Sequence, residues 1–562
     1  MPDFDAIVIG SGMSGGWAAK ELTERGLKTL VLERGRDIDP DKDFQDLKLP
    51  WERPHLDMVP QVELQDYYLT DRIPLVETSK FLWTKHDDQP YETAPGTSYH
   101  WLRGYHLGGR SITWARVSLR WNEQDFENNL RDGHGVDWPI RYSDIAPWYD
   151  RVEKFIGVAG TSEGLPNLPD GIFQRGWEMT CAEKHLKERV ETAFPTRKMI
   201  IGRVANLSDP TEEQLELGRS PCQIRSYCSK GCSFRAYFSS VNATLPAAKR
   251  TGNLTVIPNA ICHSLVYDDA QERVTGVRII DSETKESRVY SAKIVFLCGS
   301  TIPSAMILMS SLSEAFPKGL GNRSDQVGRN LMDHVSPYEP IVGTVPGYLD
   351  RYYKGRRPAP AYIPRYANYT ENEKDFVRGF GYQIMGMREG VSPGIPGVGE
   401  ALKLANREPG PWRIRLMPQG EVLPNPENRV TLHPTRTDKW GMPIAYFDVR
   451  HGENEIKMMR AAVSDAIEML KVAGCTNIRQ PKLDHLTPSG DRIHEMGSAR
   501  MGRDPATSVL NGFNQCHDVK NLFITDGACM ASTSSVNPSL TYMALTARAA
   551  NYAADLLAKG EL

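Results

Sequence analysis

Asp5-Ala6-Ile7-Val8-Ile9-Gly10-Ser11-Gly12-Met13-Ser14-Gly15-Gly16 carries an apolar run straight into glycines spaced G-x-G-x-x-G, and a helical stretch, Trp17 to Arg25, follows. That order predicts the strand–turn–helix that opens a dinucleotide-binding unit. Gly10 allows the tight turn, Gly12 lets the backbone approach a pyrophosphate, and Gly15 lets helix and strand pack closely. The helix start then offers unpaired N–H groups and a positive dipole end to the phosphates. A second strand, Lys28 to Leu32, ends at Glu33, where a carboxylate can accept from ribose hydroxyls. An acid there disfavours a 2′-phosphate, so FAD or NAD is preferred to NADP.

At 562 residues the chain is too long for one simple core, and two large lobes are expected. A net charge of −3 argues for neither a nucleic-acid partner nor an anionic membrane surface. The longest apolar stretches, such as Ile294 to Cys298, have the length of strands and fall far short of a membrane span. The first strand begins almost at once and leaves no room for a signal peptide, so the expectation is synthesis in the cytoplasm, with any export depending on a partner. Nine cysteines, an odd number, argue against a simple disulfide framework.

Strand patterns return at Asn253–Ile257, Arg273–Ile280 and Lys293–Leu297, the last followed by the helical stretch Ala305–Ser311, and again at Asn521–Thr525. The nucleotide domain is therefore discontinuous. The intervening residues, rich in Pro, Gly, Arg and Tyr, contain strand-like pieces such as Trp412–Met417 and Ile444–Val449, read as a mainly antiparallel sheet carrying the substrate site.

Four ordered motifs then acquire a common meaning. They are Gly10–Gly15 with Glu33, Gly104–Ser111, His494–Gly502, and Asp526 through Asn537-Pro538. Together they resemble the glucose–methanol–choline (GMC) flavoprotein oxidoreductases over nearly the whole chain. The resemblance implies an α/β fold in which a discontinuous Rossmann-like FAD-binding domain (1–45, 85–120, 220–340 and 490–562) receives an inserted, mainly antiparallel-sheet substrate domain. Residues 46–84, 121–219 and 341–489 would supply the substrate-binding and cap segments. It also implies FAD in preference to NAD, with Gly10, Gly12, Gly15, Glu33, Gly108, Gly109, Ser111, Asp526, Gly527 and Pro538 as cofactor-binding residues.

Oxidising an alcohol as a hydride leaves requires a base for the hydroxyl proton, and neutral imidazole suits that task near neutral pH. His494, in a segment similar to the family's His-x-x-Gly, is assigned that role. Asn537 matches the second active-site position, held in the family by His or Asn, and would fix the substrate oxygen. Asn537-Pro538 also reads as an N-cap and first helical residue before an amphipathic helix with Leu540, Met543, Ala544, Ala547 and Ala554 on one face. In the resembling family this helix start lies by the flavin pyrimidine edge. Some members attach flavin through a His four residues beyond the second glycine of the Gly-Gly pair; Thr113 stands there, which favours non-covalent FAD over a link to His106.

Cys222, Cys228 and Cys232 fall within eleven residues, between Arg, Lys and Ser. Zinc would ordinarily want a fourth ligand, which the loop lacks; three thiolates suit an iron–sulfur cluster, and a structural trio is the plainer alternative. The spacing is similar to that in catalytic subunits of bacterial FAD sugar dehydrogenases, where it holds a [3Fe–4S] cluster. Cys262, Cys298 and Cys529 lie in or beside apolar strands and read as buried hydrophobes. Gln419, Glu421 and Asn428 either hydrogen-bond substrate hydroxyls or build a Pro/Asn turn. The aromatics of Tyr91–Arg103 either line a sugar pocket or pack a core.

The resemblance thus implies an FAD-dependent dehydrogenase acting on a secondary hydroxyl of a sugar or glycoside. Hydride would pass to flavin N5, and electrons would leave through the cluster to a cytochrome or other one-electron acceptor. Arg103–Ser111 and Gly164–Pro169 look closest to glucoside 3-dehydrogenases, which points to C3; gluconate, glucose or sorbitol oxidation stays open, as does a GMC-type oxidase using oxygen. A small accessory subunit carrying an export signal, and a periplasmic destination, belong to the same expectation. From other classes, a flavin-containing lyase would have no use for the cysteine loop, and a non-catalytic electron-transfer subunit none for His494 and Asn537.

Overall fold

The computed structural model describes residues 2–562 other than 68, 70, 71, 74, 227, 352–357, 371–373, 389–397, 406, 408 and 483–485. Its first sheet is built from β1 (Phe4–Ile9), β2 (Thr29–Leu32), β3 (Leu254–Ile257), β4 (Ala260–Asp268), β5 (Arg273–Asp281) and β6 (Ser287–Leu297). The order across it is β3-β2-β1-β6-β5-β4, and Leu522–Ile524 also pairs with β6. β1 lies parallel to β2 and to the second half of β6, with Ile7 opposite both Leu30 and Val295. The first half of β6 pairs antiparallel with β5, which pairs antiparallel with β4. Ala6–Ile9, Leu30–Leu32 and Ile294–Leu297 are all buried, as strands covered on both faces must be, which explains their unbroken apolar runs.

α1 (Met13–Glu24) follows β1, and packs on α3 (Ser539–Ala558), which packs in turn on α2 (Tyr142–Ile156). Leu540, Met543, Ala544, Ala547 and Ala554 are buried along α3, as their spacing predicts. The helix expected over Ala305–Ser311 begins earlier, at Thr301, and ends at Ser310.

A second sheet carries β7 (Ile341–Thr344), β8 (Ala361–Ile363), β9 (Phe380–Arg388) and β10 (Trp412–Gly420). Its order is Thr476–Arg479, β7, β10, β9, β8, Ile200–Ile201, and every neighbouring pair is antiparallel. The long helix Glu453–Val472 covers β10 and β7. The strand read at Ile444–Val449 exists as Pro443–Asp448 but does not join this sheet. It pairs with Arg429–Thr437 and, in parallel, with Tyr91–Thr93. Aromatic packing accounts for its place: Tyr99 stacks on Phe447 with centroids 4.1 Å apart, and Tyr91 and Trp101 meet the same ring edge-on. Much of the aromatic run Tyr91–Arg103 is thereby spent on packing. Among the described residues no helix is long and apolar enough to cross a membrane.

Candidate active site

The glycine loop forms as its spacing predicts. Gly10 takes φ +93°, and a Cβ on it would lie 2.5 Å from the carbonyl oxygen of Cys298; one on Gly15 would collide with the carbonyl of Gly10. Glu33 follows β2 directly and holds the loop: one carboxylate oxygen accepts from Ser11 N at 3.1 Å and from the Ser11 hydroxyl, the other from Gly35 N at 2.9 Å. Burial raises the Glu33 pKa, and those donors oppose the rise. The Ser11 hydroxyl also accepts from Gly108 N at 2.8 Å, while Ser111 Oγ donates to the Gly108 carbonyl at 2.6 Å. The two glycine loops are thus sewn together through Ser11.

Gly12 and Gly109 bring bare backbone face to face, since a Cβ on Gly109 would lie 3.7 Å from Gly12 Cα. No side chain caps the start of α1. Free amides, a helix dipole and the absence of Cβ atoms fit a diphosphate, so these residues fit FAD or another dinucleotide. Further on, Asp526 accepts from Ala528 N at 2.9 Å and from Ser304 Oγ at 2.6 Å, and burial pushes its pKa up to about 6. Gly527 sits against the Glu495 carbonyl and Thr301, with no room for a side chain.

His494 and Asn537 come together. Asn537 Nδ2 donates to His494 Nε2 at 3.0 Å, and Gln383 Nε2 of β9 donates to Asn537 Oδ1 at 3.2 Å. Both ends of the Asn537 amide are therefore spent on the site, and none is left for capping. Pro538 takes the N-cap position of α3, with no side-chain cap, which corrects the reading of Asn537 as a cap. On the other side of the ring, His494 Nδ1 lies 2.8 Å from His334 Nδ1, and His334 Nε2 lies 2.8 Å from the carbonyl of Ser534. Asp333 ties the two segments, accepting from the backbone N–H of His334 at 2.8 Å, Arg492 at 2.9 Å and His494 at 3.0 Å. Burial, seconded by the Glu495 charge, pushes Asp333 up to about 7. Burial likewise holds His494 well below the usual imidazole range, reinforced by His334, Arg492 and Arg110. His494 is thus neutral at neutral pH, as a base must be.

Arg110, next to Gly109, grips Glu495 with two bonds of 3.1 and 2.7 Å, locking the glycine loop to the residue after His494. His106 is fully buried with Nδ1 3.1 Å from the Leu107 carbonyl. Gln419 is buried with Nε2 3.3 Å from the Ser535 carbonyl, behind the Ser534–Asn537 segment. Glu421 is wholly buried against Arg365 at 2.9 Å with Arg378 at 4.0 Å. Its carboxylate belongs to an internal ion cluster and is not open to a substrate hydroxyl, a correction that follows from burial. Asn428 bonds both ways with the backbone of Arg450, across the ends of the paired strands Arg429–Thr437 and Pro443–Asp448.

Cys222, Cys228 and Cys232 line one recess with Asn206, Phe234 and Tyr237. Asn206 Nδ2 lies 3.9 Å from Cys228 Sγ. Burial raises the Cys222 thiol and pushes Cys232 up to about 11. The recess adjoins the glycine loops: Tyr237 Oη donates to the Ile112 carbonyl at 2.7 Å, and Ser240 Oγ to the Ser11 carbonyl at 2.7 Å.

Sequence reasoning missed His334, Gln383 and the Arg110–Glu495 pair. His334 left one signal, an Asp-His pair within the otherwise apolar Leu331–Val335; Gln383 left only a polar residue within an apolar strand.

Comparison with known proteins shows the family and the fold. Two models described as GMC oxidoreductase match, over residues 4–336 and 424–546. The fructose dehydrogenase large subunit of Gluconobacter japonicus is 27% identical, covering 99% of this chain and 98% of its own. Paromamine 6'-oxidase of Streptomyces fradiae is also 27% identical, over 99% and 92%. Among solved structures, an Aspergillus oryzae RIB40 formate oxidase variant studied for FAD modification superposes with a TM-score of 0.64 at 15% identity over 100% of both chains, a likeness of fold.

Proposed function

The chain belongs to the GMC oxidoreductase family, and from that premise we propose that it is an FAD-dependent dehydrogenase oxidising a secondary hydroxyl of a sugar or glycoside, with C3 of a glycoside as the preferred position. The observation that carries the reading is the neutral His494 held beside Asn537, on a segment that Arg110 ties to the glycine loop. Sugar-directed names among the relatives support the substrate class.

Gly10, Gly12, Gly15, Glu33, Gly108, Gly109, Ser111, Asp526, Gly527 and Pro538 would hold FAD, without a covalent link. Bound FAD supplies the two-electron acceptor for hydride from the carbinol carbon. Asn537 Nδ2 holds the substrate oxygen, and His494 Nε2 takes the hydroxyl proton as the C–H bond breaks, leaving a ketone. Neutral imidazole in that position contributes about 10²–10⁴-fold. Gln383 keeps the Asn537 amide turned the right way.

The reading extends to a [3Fe–4S] cluster on Cys222, Cys228 and Cys232, which would supply one-electron chemistry toward a cytochrome or similar acceptor. It extends also to a small accessory subunit that carries the chain to the periplasm, an arrangement suggested by the subunit-type name of the Gluconobacter relative.

The test is an anaerobic absorption and EPR spectrum of purified protein before and after methyl glucoside. Bleached flavin bands together with a changing iron signal are expected. Unbleached flavin with every sugar tried refutes the dehydrogenase. Bleaching without iron or acid-labile sulfide removes the cluster and leaves an oxidase or simple dehydrogenase. Yellow colour retained in the acid-precipitated pellet refutes the non-covalent link.

A further inference from the structure

Five groups from four separate parts of the chain form a single line of hydrogen bonds: the Ser534 carbonyl, His334, His494, Asn537 and Gln383. Its direction is fixed at the Ser534 end by a group with no choice, and the Gln383 amide, as it is oriented, agrees with it. A backbone carbonyl only accepts, so His334 Nε2 must carry a proton to meet Ser534 at 2.8 Å. His334 is 1% exposed, and burial holds its pKa down at about 4, so the ring is neutral and Nδ1 is bare. A bare Nδ1 at 2.8 Å from His494 Nδ1 requires the second ring to donate. At the far end, Gln383 donates to Asn537 Oδ1, which turns Asn537 Nδ2 toward His494 Nε2 as a donor. The Ser534 end therefore dictates the state of His494, and the Gln383 end agrees with it: proton on Nδ1, lone pair on Nε2.

We propose that His334 is a positioning residue that holds His494 in the one tautomer able to accept a hydroxyl proton on the side of Asn537. The opposite tautomer would present an N–H to the substrate hydroxyl and could not act as base. The rings stand 88° apart with centroids at 4.9 Å, so the N–H of one points into the edge of the other. Asp333 fixes the spacing from behind through its three backbone contacts and addresses neither ring nitrogen. Ligand atoms of Asp333, His334 and His494 do lie within 4.8 Å of one another, close enough to gather a cation. A metal would however draw both nitrogens to itself at about 2.0–2.1 Å with a wider N–N separation, whereas 2.8 Å is a hydrogen bond.

The inference rests on His494 being the base, and the experiment separates the two ideas. The full chain with FAD bound is labelled with ¹⁵N-histidine, and two-bond couplings report which nitrogen of each ring is protonated. The His494 and His334 signals are assigned by comparison with H494Q and H334N. In the unmutated protein His494 is expected protonated on Nδ1 and bare on Nε2. Asparagine at 334 keeps an acceptor near the old Nδ1, so H334N should keep that state and most of the turnover. Leucine removes it, so H334L should shift His494 toward Nε2–H and lower kcat about 10²-fold with little change in KM, the lower end of what a general base contributes. A proton on His494 Nε2 in the unmutated protein overturns the proposal, and so does an unshifted tautomer in H334L. If H334L does not fold, the spectra of the unmutated protein and H334N still decide. Full turnover in H494Q would instead refute the base assignment and leave the tautomer result standing.

Discussion

The histidine site and the cysteine loop both gather residues far apart in sequence, yet the chain completes them to different degrees. Around His494 every ring nitrogen has a partner at 2.8–3.0 Å. Around the cysteines the strong contacts go to the flank: Asp46 takes Arg225 and, at 3.1 Å, the backbone N–H of Ser233. The sulfurs themselves meet weak donors: the backbone of Ile224 at Cys222, the backbone of Ala236 and Phe234 at Cys232, and the Asn206 amide 3.9 Å from Cys228. Ile224 and Ser226 hold left-handed backbone conformations between Cys222 and Cys228. The contrast is electrostatic. Neutral donors and acceptors pair fully inside a protein at little expense, so a proton-transfer site is preorganised by the polypeptide alone. Burial disfavours the thiolates of Cys222 and Cys232 without a compensating cation, so a metal bound there would have to displace their protons.

The sharpest break in that comparison is His494→Ala. It should cut sugar turnover by about 10²–10⁴-fold while leaving the content of FAD and of the proposed cluster's iron unchanged. Loss of iron along with activity would mean that the two sites are not independent. Next in size is Cys228→Ser, in which sugar should still bleach the flavin while reduction of a cytochrome fails; equal loss of both steps would make the loop structural. The two sites should also answer pH in the same direction but in different ranges. As the proposed base His494 would work only when neutral, and burial holds its pKa well below the ordinary value of 6.5. The kcat/KM profile should therefore stay flat down through that value and fall about tenfold per pH unit only on the more acid side. The Cys222 and Cys232 thiols are raised, so iron–sulfur reconstitution at fixed iron should improve as pH rises. Loading that does not change with pH would show that these thiols are not the ligands.

How far the sequence foretold these sites depends on whether the determining contacts are local. The clamp was legible because G-x-G-x-x-G acts through its own backbone and the next strand, and Glu33 lies only 22 positions from Ser11. His494 and Asn537 were legible by motif. The partners that give them a proton state were not: His334 is 160 positions from His494, and Gln383 is 154 from Asn537. No periodicity encodes such a pairing. Asn537-Pro538 looked like a cap because Asn commonly is one, and a tertiary demand on its amide overrode the local preference. Gln419, Glu421 and Asn428 read as either substrate-binding or turn residues, and Arg365, contributed by the loop after β8, drew Glu421 inside. The Ile444–Val449 strand was read correctly as a strand, but its sheet was set by aromatic packing from Tyr91–Trp101, hundreds of residues upstream.

The smallest expected effect lies at the outer end of the hydrogen-bonded line, and it tests whether the line is graded. Gln383 touches Asn537 through one neutral bond of 3.2 Å and reaches neither His494 nor the reacting carbon. Losing such a bond costs about 0.5–1.5 kcal/mol. For Gln383→Ala that corresponds to a decrease of about two- to twelvefold in kcat/KM, with the acid limb of the pH profile unmoved because His494 keeps its neighbours. The Asn537 amide would gain freedom to turn, and an Oδ1 facing His494 Nε2 would favour the unreactive tautomer for part of the population. A loss as large as that of His494→Ala would mean that Asn537 has no orientation of its own, and that the β9 strand, not the polar chain running in from Ser534, sets the proton state of the site.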